Sequence, residues 1–417
     1  MHRRYGGLFR TKEPIAGELF HVGDPALIEQ MFRWKPEAYE VAEPRELMEP
    51  AVGRESLLLL DGQRHLRMRK LMLPAFHGEA IAGYSELIQR ITDAAIDGWT
   101  VGETIQTRSV AQEITMSVII EAVFGITDPR RIAEFKFHLP RLTSVNPAVL
   151  LFQRDLGPRS PWGRFLRHRD RVDAMLYEEI RNRRDRGLES ESFDVLTMLM
   201  AARDEAGSPL TDKELRDELI TLLLAGHETT ATSIGWAFER LLRTPGAKDR
   251  LVDELQAGAG GEYLDAVIKE TLRVRPVVTE VFRSPTGPVE LGGYRFEAGQ
   301  QLCVAIAIVQ LDPKLFAPDS ELFRPERFLN GTTGDPYTWV PFGGGVRRCI
   351  GAAFAQLEMK VVIETILSRA RLEVSNPKSE KPRFRGVTVL PSRGGEALVR
   401  SVMPSRSATP RLSVPAG

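Results

Sequence analysis

Phe342-Gly343-Gly344-Gly345-Val346-Arg347-Arg348-Cys349-Ile350-Gly351 is the stretch that decides the fold. Three successive glycines let the backbone turn tightly and approach a flat partner closely. Apolar spacing from Ile350 to Ala370 predicts a helix, so Cys349 arrives where a first helical turn exposes unpaired N–H groups. Those amides, with the positive end of the helix, favour a thiolate. An isolated glycine run beside a cysteine is more often a packing loop around an inert thiol, but the full spacing here reverses that reading.

Upstream, apolar residues recur mostly at three- and four-residue spacing from Glu79 to about Leu255, with turn signals at Gly98, Asp128-Pro129, Gly157 to Pro161 and Gly207 to Pro209. Thr211 and Glu214 form a capping-box pattern that opens the clearest helix, stopped at Thr244 and Pro245. About 32 residues at 1.5 Å each make a rod of roughly 48 Å, long enough to cross a whole domain, so Leu219 to Leu224 near its middle are expected in the core. Shorter helices are predicted from about Gly246 to Leu255 and from about Tyr263 to Val274, with the loop Gly258 to Gly261 between them. After Pro276, β-favouring stretches at Val277 to Phe282, Val289 to Phe296 and Gln301 to Val309 predict a small sheet. Pro313 to Pro341 has little periodicity. No internal repeat or low-complexity linker divides the chain, so one large helix-dominated domain is expected over 1–402, followed by a flexible tail over 403–417.

The 417 residues hold 56 basic and 56 acidic side chains, so no global field favours nucleic acid or an anionic membrane. Two cysteines, Cys303 and Cys349, are too few for a disulfide framework or a four-thiolate zinc site and point to a reducing cytoplasm. The N-terminal stretch has no apolar run of the length of a signal peptide or membrane span.

The cysteine segment resembles the haem-binding loop of the cytochrome P-450 superfamily, F-G-x-G-x-R-x-C-x-G, with every fixed position matched. The likeness extends from about Asp61 to Gly351 through three further segments. It implies a mainly α fold with small sheets, haem b held between the long central helix and the helix after the cysteine loop, and Cys349 as the iron ligand. Phe342, Gly343 and Gly351 would then shape the ligand loop, while Arg347 would meet a haem propionate. A thiolate beneath iron donates electron density that favours O–O cleavage.

In the long helix, Ala225-Gly226-His227-Glu228-Thr229-Thr230 brings a small residue, an acid and a hydroxyl to buried depth. Gly226 weakens the helix there, and an inward Thr229 side chain would leave a backbone carbonyl free and open a groove. Without Cys349, an exposed helix face with Thr back-bonding is about as good a reading. Position 231 is alanine, so the zinc-protease H-E-x-x-H pattern is incomplete. By resemblance Ala225 borders the cofactor, Thr229 is the oxygen-activating hydroxyl and Glu228 the proton-relay acid.

Glu270 and Arg273 lie three apart on a helix, ordinarily a surface pair worth a few tenths of a kcal/mol. The segment Phe323-Arg324-Pro325-Glu326-Arg327-Phe328 resembles the family's element that adds a second arginine, so Arg327 is expected to complete a buried network that fixes the cysteine loop. His65 and Arg69 share a helix face at the family's H-x-x-x-R spacing for a propionate, and Arg283 stands where many relatives place a further propionate arginine. Gln310-Leu311-Asp312-Pro313 departs from the His-Arg-Asp-Pro of many relatives.

The resemblance implies a monooxygenase that inserts one atom of dioxygen into an apolar substrate, with a fatty acid, terpenoid or steroid as its class. The substrate pocket is expected from Glu40 to Leu60, Leu222 to Thr229, Val277 to Phe282 and Val387 to Leu390, where Glu280 would instead select a polar or cationic group. Electrons are expected from a separate ferredoxin or flavodoxin with its reductase, docking on Arg67, Lys70 and Arg348. Peroxide-driven hydroxylation and a non-catalytic haem protein for gas sensing or storage are the rival readings; retention of Glu228 and Thr229 favours dioxygen activation.

Overall fold

A computed structural model describes residues 6–405 apart from 14–16, 42–44, 79–80, 82, 144–148, 151–152, 155, 187–193, 259–260, 317–318 and 330–334. Parts of the expected pocket segment Glu40 to Leu60, of the Gly258 to Gly261 loop and of Pro313 to Pro341 therefore lie outside the described residues, as do residues 406–417 of the expected tail.

Six helices frame the site: α1 (Pro25–Phe32), α2 (Gly62–Met72), α3 (Thr107–Phe124), α4 (Asp212–Leu242), α5 (Glu262–Val274) and α6 (Ala352–Arg369). Helix α4 starts where the capping box predicts. Glu214 N donates to Thr211 Oγ1 at 3.2 Å, and Thr211 N donates back to Glu214 Oε2 at 2.8 Å. Asp212 and Glu214 in its first turn and Arg240 in its last complement the helix dipole. Leu219, Ile220, Leu223, Ile234, Trp236, Phe238 and Leu241 are fully buried, which places α4 through the centre of the core. Each such side chain contributes roughly 1.5–3 kcal/mol of hydrophobic stabilisation. A Cβ at Gly235 would stand 2.8 Å from Arg108 Cβ, so this glycine is what lets α3 and α4 cross so closely.

The main sheet has five strands: β1 (Leu8–Glu13), β2 (Gly17–Val22), β3 (Tyr39–Glu40), β4 (Glu280–Pro285) and β5 (Gln301–Ala305), in spatial order β1-β2-β5-β4-β3. The β2–β5 pairing is parallel and the others are antiparallel. Three sequence expectations shift. The strand from Val277 begins only at Glu280. Val289 to Phe296 is a hairpin, Val289–Leu291 and Tyr294–Phe296, broken by Gly292 and Gly293 at φ of 62° and 78°. Gln301 to Val309 is a strand only to Ala305; Ile306–Gln310 is helical, which brings Ile306, Val309 and Gln310 together as a buried face.

Near the C-terminus a sheet of Thr104–Gln106, Glu396–Val402 and Ala370–Val374, and a hairpin of Pro382–Arg385 with Thr388–Pro391, complete the fold. Met403 belongs to this body, since its carbonyl accepts from Arg369 Nη2 at 2.9 Å. Among the described residues no single helix is long and apolar enough to cross a membrane.

Candidate active site

The cysteine loop is closed by its own backbone. Cys349 N donates to Phe342 O at 2.9 Å and Gly343 N to Val340 O at 3.0 Å. Gly345 has φ 64°, and a Cβ there would lie 2.2 Å from the carbonyl oxygen of Phe32 at the end of α1. The close approach that the glycines allow is thus onto α1. Gly351 caps α6, and its N–H, with Arg69 and Arg348, pulls the Cys349 thiol down in pKa while burial pushes it up more strongly. Cys349 nevertheless keeps exposed surface.

Three arginines and a histidine gather in one region that Arg69 joins to that sulfur. His65 and Arg69 project from α2, Arg283 from β4 and Arg347 from the cysteine loop. Burial first, then the charges of Arg347, Arg69 and Arg283, lowers the His65 pKa to about 3. The fields of all four groups therefore overlap. Burial also depresses Arg69 and Arg283, and the buried Nε of Arg283 has no hydrogen-bond partner, although Nη1 donates to Phe282 O at 2.7 Å. Arg347 Nη2 meets Asp61 Oδ1 at 2.5 Å and also reaches Leu60 O. The positive charge of these arginines suits the two carboxylates of a haem. The resemblance named His65, Arg69, Arg283 and Arg347, which the structure brings into one another's field; it did not anticipate the Asp61 clasp.

Opposite in character is the centre of α4. Leu224, Ala225, Gly226, Glu228 and Thr229 keep accessible surface between fully buried neighbours. The expected break in the helix does not occur: Thr229 Oγ1 donates to Ala225 O at 2.7 Å, so that carbonyl is bonded, and α4 runs unbroken to Leu242. The hydroxyl reaches the carbonyl four residues back, the threonine back-bonding that was the competing reading of this stretch. Gly226 has a packing reason, because a Cβ there would lie 2.9 Å from Ile119 Cδ1 on α3. Glu228 is clasped by Arg108 and by Gln112, whose Nε2 donates to Oε2 at 2.6 Å, with Arg385 Nη1 3.8 Å from Oε1. Sequence reasoning missed these three partners. Arg108 and Gln112 sit four apart on one face of α3, a signal that spacing alone does not tie to Glu228.

Glu270, Arg273 and Arg327 do meet. Arg273 Nε is 2.7 Å from Glu270 Oε2 and Nη2 is 2.8 Å from Oε1, both side chains being sealed from solvent. Arg327 Nε lies 3.5 Å from Glu270 Oε1. Arg273 also donates to the carbonyls of Gln310, Ser320 and Leu322. Gln310, at the departure from the family pattern, makes the link onward: Nε2 donates to Leu272 O and Arg273 O, and Oε1 accepts from Val340 N at 3.0 Å. Val340 is two residues before Phe342, so the network reaches the cysteine loop through this amide.

Other placements differ from expectation. Glu280 stands opposite Ala305, on the sheet face shared with Phe282 and Cys303, whereas the alternate residues Val281 and Arg283 take the other face. Val281 is the strand's neighbour to Gly343, so Glu280 and Cys303 point away from the cysteine loop. Val387, expected in the pocket, is 72% exposed at the hairpin tip, while Val389 and Leu390 are buried. Arg67 pairs with Asp204 and Glu214, and Lys70 with Glu205, so both expected docking cations have acidic partners within the chain. Arg348 is exposed.

The family model described as Cytochrome P450 matches residues 1–399. The chain belongs to the cytochrome P450 family. It is 41% identical over 406 residues to cytochrome P450 135B1 of Mycobacterium tuberculosis and of Mycobacterium bovis, covering 96% of this chain and 86% of that protein. Cytochrome P450 135A1 of Mycobacterium tuberculosis is 37% identical, over 94% of this chain and 88% of its own length. Among solved structures, the retinoic acid-bound cyanobacterial CYP120A1 superposes with a TM-score of 0.83 at 24% identity, over 96% of this chain and 93% of that one, which shows the fold. This P450 is accordingly a haem b-dependent monooxygenase, as the sequence resemblance implied.

Proposed function

We propose that Cys349 is the proximal ligand of the haem iron, that His65, Arg69, Arg283 and Arg347 hold the propionates, and that Thr229 and Glu228 deliver protons for hydroxylation of an apolar substrate. The observation that carries this reading is the gathering of three arginines, Arg69, Arg283 and Arg347, around the buried, neutral His65, with Arg69 acting on both His65 and the Cys349 sulfur. The buried Arg283, whose Nε has no hydrogen-bond partner, is costly to desolvate, and bound carboxylates offset that cost. When bound, the haem supplies the oxygen-activating iron, and one atom of dioxygen enters the substrate while the other leaves as water with two electrons and two protons.

The chain's own groups do the rest. Gly351 N–H and Arg69 favour the thiolate form of Cys349. Glu228, held by Arg108 and Gln112, is the acid next in sequence to Thr229, and its carboxylate borders a cavity shared with Lys136 and His227, a route by which protons enter from solvent. Leu222, Leu224 and Val281 supply apolar wall that excludes bulk water. These surfaces favour a fatty acid, terpenoid or steroid, and the retinoic acid carried by the cyanobacterial relative is of that chemical kind. Electrons come from a separate ferredoxin or flavodoxin, with Arg348 as the exposed cation nearest the thiolate, and the protein works in the cytoplasm. The domain runs to about Met403, one residue past the expected boundary, with the tail after it.

The reduced carbonyl complex tests the ligand. Wild type and Cys303→Ser should both give the red-shifted band of an anionic sulfur donor, and Cys349→Ser should lose it; the opposite pattern assigns the iron to Cys303. Soret shifts across lipids, terpenes and steroids test the substrate class, and silence across all three overturns it.

A further inference from the structure

We propose that His21, Cys303 and Glu280 form a second metal site, for one thiophilic divalent cation such as Zn²⁺, on the face of the main sheet that turns away from the cysteine loop. Strand register puts them together. His21 on β2 pairs with Cys303 on β5, and Cys303 pairs with Phe282, two residues beyond Glu280 on the same face of β4. Cys303 Sγ lies 3.3 Å from His21 Nδ1, and Glu280 Oε1 lies 3.4 Å from the same nitrogen. All three donor atoms fall within 4.8 Å of one another.

The two separations to His21 Nδ1 match a tetrahedral zinc site, and the Cys303–Glu280 pair, within 4.8 Å, closes onto the ion by a turn of the partly exposed Glu280 side chain. Bonds of about 2.0 Å to nitrogen or oxygen and about 2.3 Å to sulfur, opened at the tetrahedral angle, set neighbouring ligand atoms roughly 3.3–3.6 Å apart. His21 Nε2 is 2.8 Å from Thr11 Oγ1. With its proton on Nε2 and donated to Thr11, the ring presents the Nδ1 lone pair to the shared point, and metal-bound histidines characteristically carry such an outer partner. Phe9 stacks on the imidazole at 4.9 Å between centroids and fixes its plane. His21 and Cys303 are buried, but the Glu280 side chain is 34% exposed, which leaves an entry path and a fourth position for water. On binding, the Cys303 S–H proton passes to solvent as the sulfur–metal bond forms. Thiolate and carboxylate then neutralise the dication, so the half-buried site carries no net charge. The bound ion would tie β2, β4 and β5 together next to Arg283.

The experiment uses purified holoenzyme, stripped with chelator, reloaded with Zn²⁺ and desalted. Wild type should retain zinc stoichiometric with haem, with one sulfur in its zinc-edge X-ray absorption shell. Cys303→Ser and Glu280→Gln should lose stoichiometric zinc, and Thr11→Val should weaken binding by about 10- to 100-fold. The reduced carbonyl spectrum of each variant verifies that the protein is folded. Zinc that is sulfur-free, retention unchanged in folded Cys303→Ser, or adventitious zinc that desalting removes from wild type would each overturn the site.

Discussion

The Glu270 carboxylate and the Arg273 guanidinium are joined by two hydrogen bonds, 2.7 and 2.8 Å, with neither side chain exposed. Their mutual attraction answers desolvation that would otherwise disfavour both charges, and burial alone pushes the Glu270 carboxyl above its ordinary range. Arg273 spends its remaining donors on carbonyls of Gln310, Ser320 and Leu322, so one arginine ties α5 to the segment leading into the cysteine loop.

Removing either partner leaves the other charge buried. Glu270→Ala and Arg273→Ala should each cost about 3–5 kcal/mol. The expected outcome is protein that expresses without bound haem, measured as Soret absorbance per mole of chain. Gln310→Ala should cost less, about 1–3 kcal/mol, because it strands neutral groups only. Equal losses for all three would show that Gln310 is no mere connector.

Gly345→Ala and Gly351→Ala contrast a strained, crowded position with an unstrained, open one. At Gly345 the backbone has φ 64° and the new Cβ meets the Phe32 carbonyl at 2.2 Å, while at Gly351 φ is −86° and nothing lies within 4 Å. The first substitution should cost about 1–2 kcal/mol from backbone conformation alone, with the clash added. The second should leave stability within about 0.5 kcal/mol. Thermal unfolding of the two variants reads the difference directly.

His65 ties stability to pH. Its folded pKa is lowered to about 3 from 6.5, so between those values the unfolded chain binds a proton that the folded chain does not. Stability is therefore full above pH 6.5 and is lost as pH falls toward 3, by at most about 1.4 kcal/mol per pH unit from this group. In haem-free protein, His65→Gln should flatten the acid limb of stability followed by circular dichroism. Haem should flatten it as well, because a propionate beside the imidazole raises its folded pKa.

Thr229→Ala removes the hydroxyl that bonds Ala225 O and leaves the helix cap-to-cap hydrogen bonding intact. Product formation should fall on the order of 10²-fold, the scale of a positioned proton donor. Oxygen consumption should fall less, with the difference recovered as peroxide. A parallel decline in both rates would assign Thr229 a packing role.

Much of this protein is written in local chemistry. Cys349 with its glycines, the Thr211–Glu214 capping box and the stop at Pro245 each act within a few residues, so their outcome is settled by sequence and needs no partner from afar. The pairings of Glu228 with Arg108 and of Gln310 with Val340 join residues 120 and 30 apart in the chain, and only the close crossing of α3 on α4 and the turn of the chain after Ala305 bring them together. Glu280 shows the limit most clearly. The family resemblance put it in a pocket segment, but side chains alternate across a strand, and only the register of β4 against β5 decided which face it occupies.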